Sequence, residues 1–200
     1  LSINSLFSRM MPAGFYYKTF MWPKKLWMSY EHVIRKASGL GVSPELPDPD
    51  RYEKTYAHCD VLIIGAGPAG LMAALAAGKM GARVMLIDEQ NEFGGSLLHS
   101  NESIDGQSAQ DWVSSVCKEL ASMQEVRLLP RSSAYGYHDG NFLTVNQRLT
   151  DHLPADQKSR ARERLWKVRA KQVVLATGAL ERPLVFANND SPGVMLSSAV

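Results

Sequence analysis

An α/β architecture with a Rossmann-like parallel sheet follows from three features of this 200-residue sequence. Asp60-Val-Leu-Ile-Ile64, Arg83-Val-Met-Leu-Ile87 and Val173-Val-Leu175 are continuous apolar runs, as in parallel strands buried on both faces. Segments of helical period alternate with them. Between the first run and the first helix lies Gly65-Ala-Gly67-Pro-Ala-Gly70, a strand–turn–helix junction with GxGxxG spacing.

Residues 1–55 form an amino-terminal arm and linker, rich in rings (Phe7, Phe15, Tyr16, Tyr17, Phe20, Trp22, Trp27, Tyr30, Tyr52, Tyr56 at its edge). Pro12 to Tyr30 shows neither alternation nor a helical stripe. Glu31–Ser38 predicts a short helix ending near Gly39 and Gly41, and Pro44, Pro47 and Pro49 mark an extended linker. The arm either covers the core or offers a subunit interface, which aromatic segments suit.

Residues 56–200 form the second domain, expected to be incomplete at its carboxyl end. Cys59 opens its first strand. Pro68–Met80 is a helix with proline in its first turn, and Arg83–Ile87 a second strand. Gln107–Met123 carries Trp112, Val113, Val116, Leu120 and Met123 at helical spacing. After the short strand Val126–Leu129, alternating segments at Ser132–His138, Phe142–Asn146 and Arg164–Val168 predict an inserted antiparallel meander, with Asp139-Gly140 as a turn. Val173–Leu175 returns to the parallel sheet. The chain opens on Leu1 and closes at Val200 within an apolar stretch, which predicts a piece of something longer.

Composition excludes several classes. Hydrophobic residues at 45% and charged ones at 21% describe a globular chain, and a net charge of +2 is too small to argue for nucleic acid or an acidic membrane surface. The basic segment Asp156–Lys171 is interrupted by acids, so it reads as a solvated hairpin rather than a nucleic-acid patch. The longest apolar stretch, Gly70 to Gly78, is too short to span a bilayer. Cys59 and Cys117 have no metal or redox spacing, which suits packed thiols in a reducing, cytoplasmic setting. Five scattered histidines form no metal cluster, and no catalytic acid, base or nucleophile can be argued.

The chemistry centres on the glycine loop. Gly65 permits the tight turn, Gly67 leaves room for a pyrophosphate, and Gly70 lets helix and strand pack closely. Pro68 and Ala69 complete the loop, so that phosphates would meet free amides at the positive helix end. Asp88-Glu89 stands about twenty residues further on, where an acid bonds the adenosine ribose and repels a 2′-phosphate. Asp88 directly follows the strand and is the favoured one. Gly94-Gly95, followed by Ser96, lets backbone pass close to a cofactor, or else forms a simple turn. Ala176-Thr177-Gly178 ends the last apolar strand and faces the crevice where ligands bind in such sheets.

VLIIGAGPAGLMAALAAGKMGARVMLIDEQNEFGG, with VVLATGALERP downstream, resembles the FAD/NAD(P)-binding oxidoreductases. The flanks MPAGFYYKTFMWP, ELPDPDRYEKTYAHCD and ERPLVFANNDSPGVML narrow this to a resemblance to the alpha subunits of heterotetrameric sarcosine oxidases. The resemblance implies NAD at the glycine loop (with FAD possible at the same site), and FMN at the boundary with a beta subunit that carries FAD and the amine site. It implies beta, gamma and delta subunits as partners, a small-molecule amine as substrate, and oxidation of sarcosine to glycine with hydrogen peroxide and one-carbon transfer to tetrahydrofolate. Two other classes stand beside it: a subunit of a related opine or hydroxyproline dehydrogenase, and a non-catalytic nucleotide-binding scaffold.

Overall fold

The computed structural model describes residues 23–41, 43–154 and 161–197. The aromatic residues from Phe7 to Trp22, and the start of the basic segment at Asp156, lie outside the described residues. The chain divides into two units, Leu1–Pro49 and Asp50–Val200.

In the first unit, a 3-10 turn at Lys24–Leu26 leads into α1, Trp27–Ala37. An i,i+4 ion pair, Arg35 to Glu31 at 2.7 Å, supports the helix. It ends where Gly39 takes a φ of +67° and the Leu40 N–H donates to the Arg35 carbonyl at 3.2 Å. The helix begins four residues before the expected Glu31, because Trp27-Met-Ser-Tyr30 contains no breaker once Pro23 is passed.

The second unit runs β1 (Tyr52–Ile64), α2 (Pro68–Lys79), β2 (Val84–Ile87), a small hairpin of β3 (Ser103–Ile104) and β4 (Gln107–Ser108), α3 (Ala109–Ser122), β5 (Val126–Leu129), β6 (Ser132–His138), β7 (Phe142–Arg148) and β8 (Glu163–Leu175). Ser108 caps α3, its Oγ accepting the Asp111 N–H at 3.1 Å. Six strands form one sheet in the order β5-β2-β1-β8-β7-β6. The first four are mutually parallel, while β7 runs antiparallel to β8 and to β6. No helix among the described residues is long and apolar enough to cross a membrane.

Two expectations are corrected. The first strand does not open at Cys59: it begins at Tyr52, so Tyr52 and Tyr56, grouped above with the arm, are strand residues. The segments Arg164–Val168 and Val173–Leu175 are one strand, β8, whose thirteen residues belong to both the meander and the parallel sheet. The polar run between them stays extended because its register places it against β1, with Ala57 opposite Val168, His58 opposite Arg169 and Cys59 opposite Ala170.

Two cores result. On one face of the sheet, α2 and α3 bury Leu71, Ala74, Trp112, Val113, Val116 and Leu120 against Ile63, Val84 and Leu86. On the other, the meander lays Leu143, Val145, Trp166 and Val168 over Leu62, Met85, Ile87 and Leu129. Cys59 belongs to this second core, and burial, then the nearby Asp60 charge, pushes its thiol up to about 11. At the start of β2, Arg83 donates through Nε and Nη2 to Asp60 at 3.0 Å, and Lys171 approaches the same carboxylate at 2.8 Å, so one acid fastens β1, β2 and β8. The Arg83 hydrogen bonds, then that of Lys171, hold the Asp60 carboxyl well below the usual carboxylate range.

Candidate functional site

The carboxyl ends of β1, β2 and β8 converge on one opening, and the glycine loop leaves β1 there. The Gly65 N–H donates to the Ile87 carbonyl at 2.9 Å, and the Ala176 N–H to the Ile64 carbonyl at 2.8 Å, so the three strand ends are tied together. Gly65 has a φ of +98°, and a Cβ on it would lie 2.3 Å from the Ala176 oxygen. A Cβ on Gly70 would lie 1.8 Å from the Gly65 oxygen. Both positions therefore admit glycine alone, for reasons of packing.

Gly67 differs. It caps α2 with an ordinary φ of −70°, and a Cβ there would meet nothing within 4 Å. The space beside it opens into a cleft of about 660 Å³. The first-turn amides of α2 have no acceptor within their own helix and carry its positive dipole end toward this space. The next loop closes the other side: the Gly94 N–H donates to the Ala66 carbonyl at 2.8 Å, and a Cβ on Gly95 would lie 2.9 Å from the Gly67 Cα.

Of the residues singled out in the sequence, Gly65, Gly67, Pro68, Ala69, Asp88, Glu89, Gly95, Ser96, Ala176, Thr177 and Gly178 line this one cleft. Gly70 and Gly94 stand behind the lining, where they shape the loops. Gln90 and the segment Ser132-Ser133-Ala134, which the sequence does not single out, form part of the wall. Backbone bonds bring that segment in: the Ser132 N–H donates to the Asp88 carbonyl at 2.7 Å, and the Arg131 N–H to the Gln90 carbonyl at 2.8 Å. Nothing in the local pattern of two serines marks them, since only the fold-back of β6 brings them near β2.

Among the described residues, Asp88 and Glu89 are the only charged ones in the lining, and no described histidine, cysteine, lysine or arginine lines it. The arrangement can therefore hold a phosphate on helix amides and a diol on an acid. A second depression of about 570 Å³, beside His58, Arg83, Glu125 and Arg127, lies away from the glycine loop. Among the described residues no group of His, Cys, Asp or Glu could hold a metal ion.

Comparison with known proteins bears on this geometry. The profile of a family described as FAD dependent oxidoreductase matches residues 60–175. The sarcosine oxidase alpha subunit of Rhizobium meliloti (strain 1021) is 51% identical over the whole chain, which covers 20% of that protein. That of Corynebacterium sp. (strain U-96) is 51% identical over 82% of this chain and 17% of its own length. One subunit of the opine oxidase of Agrobacterium tumefaciens (strain Ach5) is 30% identical over 70% of the chain and 28% of its own length. The chain thus spans about a fifth of the length of the sarcosine oxidase relatives it matches. Among solved structures, L-proline dehydrogenase from P. horikoshii shares a TM-score of 0.51 at 28% identity, over 73% of this chain and 27% of that one.

Proposed function

Because the chain belongs to the FAD dependent oxidoreductase family, we propose that its cleft seats the ADP half of an adenine dinucleotide, as the nucleotide-binding portion of a sarcosine oxidase-like alpha subunit. The observation that carries this reading is the open side of Gly67, a space at the head of α2 that a Cβ would enter and a pyrophosphate fits. The ribose would lie beside Asp88-Glu89, and the adenine against Ser132–Ala134. Thr177 and Gly178, at the end of β8, would flank the dinucleotide farther along.

The family's description supports FAD in this cleft, and the likeness to alpha subunits implies NAD as the other candidate. Either dinucleotide can accept a hydride when bound; this chain's residues bind and orient it. The proposal extends to the larger protein: a complex with beta, gamma and delta subunits that oxidises sarcosine to glycine, makes hydrogen peroxide and passes one carbon to tetrahydrofolate, with FMN and FAD as further groups. Identity of 51% over the whole chain to a sarcosine oxidase alpha subunit supports it. The similarity to an opine oxidase component favours a second reading, in which the amine is an opine or an imino acid.

Denaturing the purified protein and chromatographing the supernatant tests the cleft. Near-stoichiometric FAD or NAD is expected, and its identity decides between the two. Less than about a tenth of an equivalent of either would overturn the assignment. Assaying hydrogen peroxide from the assembled oxidase with sarcosine, opines and hydroxyproline in parallel separates the substrates.

A further inference from the structure

β1 outruns its neighbour on one side. It pairs with β8 from Tyr52 to Ile64, but with β2 only over Val61–Ile64. Along Lys54–Cys59 the β2 side of the strand therefore has no strand partner among the described residues. Backbone groups alternate sides along a strand, and two bonds fix the phase. The Arg51 carbonyl accepts the Arg162 N–H at 2.7 Å on the β8 side, while the Asp60 N–H turns the other way, to the Arg83 carbonyl at 2.9 Å. Lys54, Tyr56 and His58 thus direct N–H and C=O to the open side, and the residues between them bond to β8. Sheet edges are commonly closed by a proline or a bulge, and Lys54–Cys59 holds neither. The depression of about 570 Å³ runs beside this edge, from Tyr56–Cys59 to the amino ends of β2 and β5. In its lining Arg83 and Arg127 outnumber Glu125. Arg83 is committed to Asp60. Arg127 lies over the Trp166 ring at 5.3 Å, and neither it nor Lys54 has an acidic partner among the described residues.

We infer that the open edge of β1 takes an extended, acidic segment of a partner subunit as a further strand. The segment's backbone pairs with Lys54, Tyr56 and His58, and a carboxylate on it meets Arg127. This rests on the reading of the chain as one subunit of a larger oxidase. Alternating amides and carbonyls at strand spacing specify an extended polypeptide, since the main chain of another strand supplies the matching acceptors and donors. Charge selects the occupant. A second copy pairing through the same edge would bring the Lys54 and Arg127 of both copies together, and like charges across a contact are costly. An acidic segment neutralises them instead. The contact lies at the amino ends of β2 and β5, whereas the glycine loop leaves the carboxyl end of β1. The edge can therefore be filled without obstructing the dinucleotide cleft.

Hydrogen exchange on the assembled oxidase tests the added strand. The Lys54, Tyr56 and His58 amides are expected to exchange within about tenfold of the rates at Thr55 and Ala57, which bond to β8. Fast exchange at all three in the complex would overturn the proposal. Two variants then test the partner. Tyr56→Pro deletes one outward N–H and leaves the β8 ladder intact; it is expected to weaken subunit association at least about tenfold with dinucleotide content unchanged. It should also deprotect one short segment carrying Asp or Glu in another subunit. Deprotection of a segment of this same polypeptide, or of a second copy, would overturn the source. Arg127→Glu leaves the edge backbone untouched and should weaken association by on the order of tenfold at low salt, less at high salt. Association equal to the parent in both variants would overturn the contact. A protein that purifies without partners overturns the subunit reading and the strand's source with it, whereas a complex with fast-exchanging edge amides overturns the strand alone.

Discussion

Gly67 and Gly70 stand three positions apart in one loop, yet the space around them differs completely. A methyl group on Gly70 would overlap the Gly65 carbonyl, whereas one on Gly67 would project into the cleft. Gly67→Ala should therefore melt close to the parent and retain no dinucleotide. Gly70→Ala should be destabilised, by on the order of 3 kcal/mol, the upper end of ordinary overpacking costs. Thermal unfolding beside the released-cofactor assay separates the two, and a Gly67→Ala protein that keeps its cofactor would remove the glycine loop from the site. Asp60 makes a second case at this scale. Its folded-state pKa is depressed by Arg83 and then Lys171. Its contribution is thus present above the unfolded value of about 3.9 and is lost as pH falls through the folded one. Asp60→Asn should be less stable than the parent at pH 7, and the gap should close below about pH 4. Urea midpoints at descending pH measure it; a gap that stayed constant would mean that the charge is not what matters.

The parallel strands and both long helices of the second unit are legible because their residues repeat what the fold needs: Leu62-Ile63-Ile64 and Met85-Leu86-Ile87 are continuous apolar runs, Pro68 marks one helix start, and Trp112, Val113, Val116 and Leu120 keep helical spacing in the other. The amino-terminal half of β1 is not legible. Tyr52-Glu-Lys-Thr-Tyr56 reads as the end of the arm and linker, since its pairing with Glu163–Lys167 is a long-range fact. The same holds for β8, where Lys171 and Gln172 look like a break and are instead strand residues whose neighbours are set by β1. In the cleft, the residues with unusual backbone demands could be read, and Ser132–Ala134 could not, because what recruits them is main-chain hydrogen bonding from Asp88 and Gln90. The meander's inward residues carry the second core, so Leu143→Ala, at a fully buried position, should cost roughly 2–5 kcal/mol. A stability within about 0.5 kcal/mol of the parent by denaturant unfolding, roughly the range of a surface change, would show that the meander is not part of the folding unit.

For the molecule as a whole, the second unit is a pair of cores sharing one sheet, and the cleft lies where the shared strands end. Family membership rests on residues 60–175, which contain the glycine loop, the first core and all the buried residues of the second except Cys59. The meander follows β5 in sequence and rejoins the parallel sheet through β8, the strand that then delivers Ala176-Thr177-Gly178 to the cleft. This has a consequence for how such a chain can be recombined. A module that is spliced at loops can gain or lose residues freely, but here the last strand of the insertion and a strand of the host's parallel sheet are the same thirteen residues. Strand side chains alternate, so removing one residue, Arg169 for instance, forces a choice. Either Trp166 turns out of the second core, or the Ala176–Gly178 end is drawn out of line with the glycine loop. Tryptophan fluorescence and cofactor retention in that deletion would report which half gives way, and retention of both would mean the strand can absorb a bulge. The meander is an insertion by topology, but its reading frame is locked to that of the site.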